Sequence, residues 1–142
     1  MFDVFKDNKK NISKDNSLYI NIGALLIHVA KIDENYSEKE KEIIKKTLLE
    51  LGLTGDALNN VFKKSEETEK NSNQILEFTK EVKNKDKEFK IKIVEALWKI
   101  IYADNVSDMY EMSLMRRLTG LLYLDTKIVG DIKNKIINSS NK

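Results

Sequence analysis

The sequence contains no cysteine, no proline and only one histidine among its 142 residues. Without cysteine, the chain forms no disulfide and offers no thiolate ligand to a metal ion. A single histidine excludes the zinc motifs that take several histidines from one chain. The lack of proline, together with only five glycines, favours helices, because these two residues interrupt helices most strongly.

Neither sign of charge dominates, and no apolar run is long. The 25 basic and 23 acidic residues leave a net charge of +2, which argues against a dedicated nucleic-acid binder, since such proteins carry a clear basic stripe. No apolar segment approaches the roughly 18 residues of a transmembrane helix, and the N-terminus lacks the apolar core of a signal peptide. We therefore expect a cytoplasmic protein without a transmembrane segment.

Apolar residues recur at helical spacing along most of the chain, and no segment alternates with the period of a strand. We predict an all-α fold, a single compact bundle of about seven helices. The helix expected over about residues 86–103 is apolar on most of its circumference, which is typical of a buried central helix containing Trp98 in the core. The remaining helices are expected over about 17–32, 38–51 and 109–123. Three more are expected to begin at Thr54 or Asp56, at Asn71 or Ser72, and at Asp125.

The N-terminal segment 1–16 is mostly polar and is predicted to form an arm that precedes a helical domain over residues 17–140. Phe2 and Phe5 would share one helix face beside several lysines. This arm either docks on the body of the protein or lies as an anchor on a membrane surface.

Two further predictions concern polar residues within the helices. The lone His28 is expected to be packed or hydrogen-bonded rather than to bind a ligand. The charged run from Lys63 to Lys70 is expected to be solvated surface.

Two segments, each composed of a helix, an acidic turn and a helix, resemble each other at a constant offset along the chain. Asp33 corresponds to Asp104 and Glu40 to Glu111, so that in both copies the glutamate occupies the seventh position after the aspartate. A repeat of this kind indicates that one structural unit occurs twice in the fold.

Two interpretations account for these acidic residues. Ser37 with Glu40, and Asp108 with Glu111, match the capping box that begins a helix. Capping leaves the two aspartates unexplained. If both copies pack together, these carboxylates are expected to converge, and they then repel and raise one another's pKa unless a cation or a hydrogen-bond donor offsets their charge. Because these ligands supply only oxygen, the cation would be Ca²⁺ or Mg²⁺.

The second copy resembles a known family. The segment Ala103-Asp104-Asn105-Val106-Ser107-Asp108-Met109-Tyr110-Glu111, followed by Leu114-Met115-Arg116-Arg117-Leu118, is similar to the second repeat of TerB-like proteins, the tellurite-resistance TerB family. The resemblance covers about residues 17–140 and implies an all-helical fold of two repeated halves. Asn105 stands where the family usually has glycine, and Lys31-Ile32-Asp33-Glu34 departs further from the family pattern.

The resemblance also implies a function. It makes Asp33, Glu40, Asp104 and Glu111 the candidate ligands of a divalent cation, in a protein tied to tellurite and stress resistance through partners that include membrane proteins. Since one histidine, no cysteine and no glycine-rich phosphate loop leave only carboxylates for chemistry, we expect no enzymatic activity. The alternative is an interaction module whose acidic face or N-terminal arm docks on a protein or a membrane without metal.

Overall fold

The structure is a computed structural model of the chain, and it describes residues 2–32, 36–72, 75–103 and 109–140. Within these ranges it contains seven α-helices, one short 3-10 helix and no strand, which confirms the predicted all-α fold. The helices are α1 (Phe2–Ala30), α2 (Glu38–Glu50), α3 (Gly55–Asn71), α4 (Ile75–Thr79), α5 (Lys87–Ile101), α6 (Met109–Leu121) and α7 (Thr126–Ser140), and the 3-10 helix is Val82–Asn84.

The first helix is longer than predicted. It begins at Phe2 rather than near residue 17, because apolar spacing marks the buried face of a helix and not its full length, and no proline or glycine interrupts residues 2–16. The side chains of residues 2–15 lie outside the described part of the structure. The predicted docking or anchoring of the N-terminal arm falls on these side chains and stays a prediction. Within the described residues, no helix combines the length and apolarity that crossing a membrane requires.

The predicted helix after Ser72 is also different, since a five-residue α4 and a 3-10 helix replace it. At the end of α4, the Thr79 hydroxyl donates to the Leu76 carbonyl oxygen at 3.2 Å. A threonine hydroxyl that binds the preceding turn competes with the helical backbone pattern.

Two helices, α1 and α5, share the centre of the bundle. Trp98 and Ile100 on α5 are 2% and 3% exposed, as predicted for a central helix. However, α1 contacts α2, α3, α4 and α5, whereas α5 packs mainly on α1, α2 and α7. The sequence predicted that α5 is the most buried helix, whereas in the structure α5 and α1 share the central position. The Trp98 indole N–H donates to the Val129 carbonyl oxygen at 3.1 Å and ties α5 to α7.

The C-terminal ends of α2 and α6, which are equivalent places in the two copies, close in the same way. In each, a backbone N–H just after the helix donates a hydrogen bond to the carbonyl oxygen five residues earlier, in the last turn of the helix. This is the Schellman arrangement. The residue between has a positive φ, of 117° at Gly52 and 56° at Tyr123. The bonds join Leu53 N to Leu48 O and Leu124 N to Thr119 O, each at 3.0 Å.

Candidate functional site

Of the four predicted cation ligands, the structure describes one completely. Asp33 and Asp104 lie outside the described residues. Glu111 is the third residue of α6, but its side chain lies outside the described part. Glu40 is the third residue of α2 and is 1% exposed. The geometry of the complete set therefore stays a prediction, and Glu40 is the member that can be analysed.

Glu40 forms the predicted capping box. Its Oε1 accepts hydrogen bonds from the Ser37 N–H at 2.9 Å and from the Ser37 hydroxyl at 3.0 Å. In return, the Ser37 Oγ accepts the Glu40 N–H at 3.3 Å. These bonds satisfy backbone donors that the first turn of a helix leaves unpaired. Glu40 therefore has a structural role, and any cation binding by this carboxylate is additional to it. The second predicted box includes Asp108, which lies outside the described residues.

The beginning of α2 lies against the end of α5. The Lys39 Nζ donates a hydrogen bond to the Ala103 carbonyl oxygen at 3.2 Å, although 64 positions separate the two residues in the sequence. Lys39 directly precedes Glu40, and Ala103 directly precedes Asp104. The fold thus joins the immediate neighbours of two candidate ligands that belong to different copies.

Tyr36 places a protonated phenol beside the first acidic turn. Its hydroxyl donates to the Glu66 Oε2 at 3.3 Å. Burial raises the pKa of the Tyr36 phenol well above its ordinary value, and the charge and hydrogen bond of Glu66 raise it further, with smaller effects from Glu38 and Glu40. The Lys41 ammonium lies 5.0 Å from the centre of the ring. Tyr36 is therefore a hydrogen-bond donor at neutral pH and not an anionic metal ligand.

The end of α1 carries a second polar cluster, formed by His28, Lys31 and Glu69. The Glu69 Oε1 lies 2.8 Å from the Lys31 Nζ, and its Oε2 lies 3.2 Å from the His28 Nδ1. The His28 ring also meets the edge of the Phe78 ring, with the ring centres 6.4 Å apart. The prediction that His28 is hydrogen-bonded and packed is confirmed by these contacts.

The same contacts correct the prediction that residues 63–70 are entirely solvated. Glu69 is 5% exposed and Ser65 is fully buried, because α3 continues to Asn71 and packs along α1. The Ser65 hydroxyl donates to the Ile20 carbonyl oxygen at 3.1 Å. The sequence signal was the spacing, since Val61, Ser65 and Glu69 stand four residues apart and continue the apolar face of α3.

Neither described cluster is a ready metal site. Over residues 2–32, 36–72, 75–103 and 109–140, no three side chains of the histidine, cysteine, aspartate or glutamate type are grouped to hold a metal ion. At Glu69 the ammonium group of Lys31 already supplies the positive charge. The acidic turns thus remain the only candidate cation site that the sequence predicted.

Comparison with known protein families identifies the fold. The family model described as Tellurite resistance protein TerB matches residues 19–134. The chain belongs to the TerB family. The matched part of this TerB-family chain includes both acidic turns and all four candidate ligands. Searches of curated proteins and of solved structures found no match.

Proposed function

We propose that this member of the TerB family is a non-enzymatic, tellurite-resistance-type stress protein that binds a divalent cation between its two acidic turns. The observation that carries this proposal is the hydrogen bond from Lys39 to Ala103. It supports a common site because each of these residues directly precedes a candidate ligand, Glu40 in one copy and Asp104 in the other.

The chemistry of the four candidates fits a hard cation. All of them are carboxylates, so the site would offer only oxygen, which favours Ca²⁺, Mg²⁺ or Mn²⁺ over zinc or copper. Carboxylates held close together repel one another, and a bound cation would offset this repulsion. Glu40 would contribute from a position already set by its capping bonds to Ser37.

Two residue types that often perform catalysis, cysteine and histidine, support the non-enzymatic part of the proposal. The sequence has no cysteine, and its one histidine, His28, contacts Glu69 and packs on Phe78. Both contacts support a structural role for this ring. A cytoplasmic location stays a prediction from the sequence, and a protein partner at the inner face of the membrane stays a prediction from the family resemblance.

Thermal unfolding with added cations tests the proposal. A ligand that binds only the folded state at about a hundred times its dissociation constant adds about 2.7 kcal/mol of stability. For a domain of this size, we expect millimolar Ca²⁺, Mg²⁺ or Mn²⁺ to raise the melting temperature by roughly 5–10 °C. The variant Asp104→Asn/Glu111→Gln should lose most of this shift, since it keeps the side-chain size but removes two charges.

Two controls make the result specific. Sodium chloride at equal ionic strength should not reproduce the shift. The variant Glu67→Gln/Asp131→Asn removes the same number of charges at exposed positions and should respond to cations like the wild type. If the wild type shows no shift beyond the salt control, the acidic residues are helix caps or a docking face, and the cation proposal is wrong.

A further inference from the structure

An exposed patch lies at the opposite end of α5 and α6 from the second acidic turn. Leu76 and Tyr123 are 58% and 67% exposed, the two most exposed large hydrophobic residues in the part of the chain whose side chains are described. They line a recess of about 290 Å³ between α4 and the end of α6, together with Lys80 and Lys83. We define the Tyr123 patch as Leu76, Tyr123, Lys80, Lys83 and the nearby Lys90.

Tyr123 adopts a backbone conformation that tyrosine disfavours. Its φ is 56°, whereas the equivalent place in the turn after α2 is taken by Gly52, with a φ of 117°. In the left-handed region a β-carbon comes too close to the following carbonyl oxygen, a contact that glycine avoids. Strain of this kind persists where the surrounding structure enforces it and is concentrated at functional sites. The chain therefore holds an aromatic ring at the surface where glycine would be less strained.

Two lysines approach the ring of Tyr123. The ammonium groups of Lys83 and Lys90 each lie 5.8 Å from the centre of the ring, within the roughly 6 Å range of a cation–π contact. Lys90 is only 8% exposed. Among the described residues, neither these two lysines nor Lys80 forms an ion pair. Lysine side chains that are grouped on one part of the surface without an ion-pair partner favour the approach of a negative charge.

The volume and the charged residues of the recess indicate which kind of partner it fits. Its volume is at the lower end of the roughly 300–1,000 Å³ range of small-molecule pockets, and the exposed Leu76 and Tyr123 offer an apolar contact surface to a side chain of a partner. The lining of the recess contains one acidic residue, Glu77, and two lysines, Lys80 and Lys83. Exposed tyrosine with surrounding complementary charge is typical of protein interfaces.

We propose that the Tyr123 patch binds an acidic segment of a partner protein. One apolar side chain of that segment would enter the recess between Leu76 and Tyr123. Its flanking carboxylates would pair with Lys80, Lys83 and the ammonium of Lys90. This interaction is independent of the proposed cation site, because α5 and α6 separate the patch from the second acidic turn.

Selection from a random peptide library displayed on phage tests this proposal without assuming a sequence. We expect the wild-type protein to enrich peptides in which aspartate or glutamate flanks a leucine or an aromatic residue. Synthetic versions of these peptides should bind at least about tenfold more weakly to Lys80→Glu/Lys83→Glu. The matched control Lys63→Glu/Lys64→Glu reverses two exposed charges on α3 and should bind like the wild type.

The variant Tyr123→Gly separates a loss of binding from a loss of folding. It removes the aromatic ring but also relieves the strained backbone, so its melting temperature should rise while peptide binding falls at least about tenfold. Equal binding of the selected peptides to wild type and Tyr123→Gly would overturn the proposal, as would the absence of any acidic peptides among those selected. Co-sedimentation with phosphatidylserine vesicles that depends on Lys80 and Lys83, without peptide selection, would instead identify a membrane surface and also overturn it.

Discussion

The Nζ of Lys39 lies 3.2 Å from the carbonyl oxygen of Ala103 and connects the start of α2 to the end of α5. The two residues belong to different copies of the helix–turn–helix unit, and each stands directly before a candidate cation ligand. The bond is exposed, so its direct contribution to stability is small, at most about 1 kcal/mol. Its importance lies in what it joins, since it connects the residue before Glu40 to the residue before Asp104.

The capping box at Ser37 gives a direct stability prediction. Ser37→Ala removes the hydroxyl that accepts the Glu40 N–H and donates to the Glu40 carboxylate. We expect the free energy of unfolding to fall by about 0.5–2 kcal/mol, measured by urea unfolding. Ser139→Ala, at an exposed position in α7, serves as the control and should change little. From the sequence pattern alone, Asp108→Ala is predicted to cause a similar loss. An unchanged midpoint for Ser37→Ala would contradict the role of this cap.

The raised pKa of Tyr36 predicts that the protein loses stability at high pH. Burial and Glu66 raise the pKa of its phenol in the folded protein, whereas in the unfolded chain it titrates near about 10. The folded state therefore keeps a proton that the unfolded state loses, and stability falls as the pH rises above about 10. We expect Tyr36→Phe to reduce this fall between about pH 9 and pH 11, measured by urea unfolding.

Lysine side chains in general lose their proton in the same pH range, so the comparison requires a matched variant. Tyr123→Phe removes the phenolic hydroxyl of a side chain that is 67% exposed, and its pH profile should follow the wild type. The prediction is wrong if the profiles of Tyr36→Phe and Tyr123→Phe coincide.

Gly23 on α1 permits the close approach of α3. A β-carbon at this position would overlap the Ser65 hydroxyl and would lie 2.7 Å from the Ser65 Cβ. We expect Gly23→Ala to lower the free energy of unfolding by about 1–3 kcal/mol, because extra volume in a packed interface forces its neighbours apart. Thermal and urea unfolding both measure this loss.

At Gly130 we expect the opposite effect of an alanine substitution. It lies in α7, and a β-carbon added there would meet no atom within 4 Å, so Gly130→Ala should stabilise the helix by about 0.5–1 kcal/mol. Equal stability of Gly23→Ala and Gly130→Ala would contradict the prediction that the packing of α1 on α3 excludes a β-carbon at Gly23.

Local chemistry determined much of the fold. Ser37 begins α2 and Asp86 begins α5 because their side chains accept backbone N–H groups three residues ahead, and such caps act within a few residues. The apolar spacing around Trp98 likewise marked a buried helix, since periodicity depends only on helical geometry. The short motif around Asp104 was sufficient to indicate the TerB family, and the match over residues 19–134 confirmed it.

Tertiary structure decided the relations between distant segments. Glu69 stands in a charged run that composition alone assigns to the surface, yet it is buried because α3 packs on α1 and brings it to His28 and Lys31. The central position of α1 and the contact of Lys39 with Ala103 arise in the same way. A helix cap is determined by residues that are neighbours in the chain, whereas these partners are 38 to 64 residues apart and meet only through the packing of entire helices.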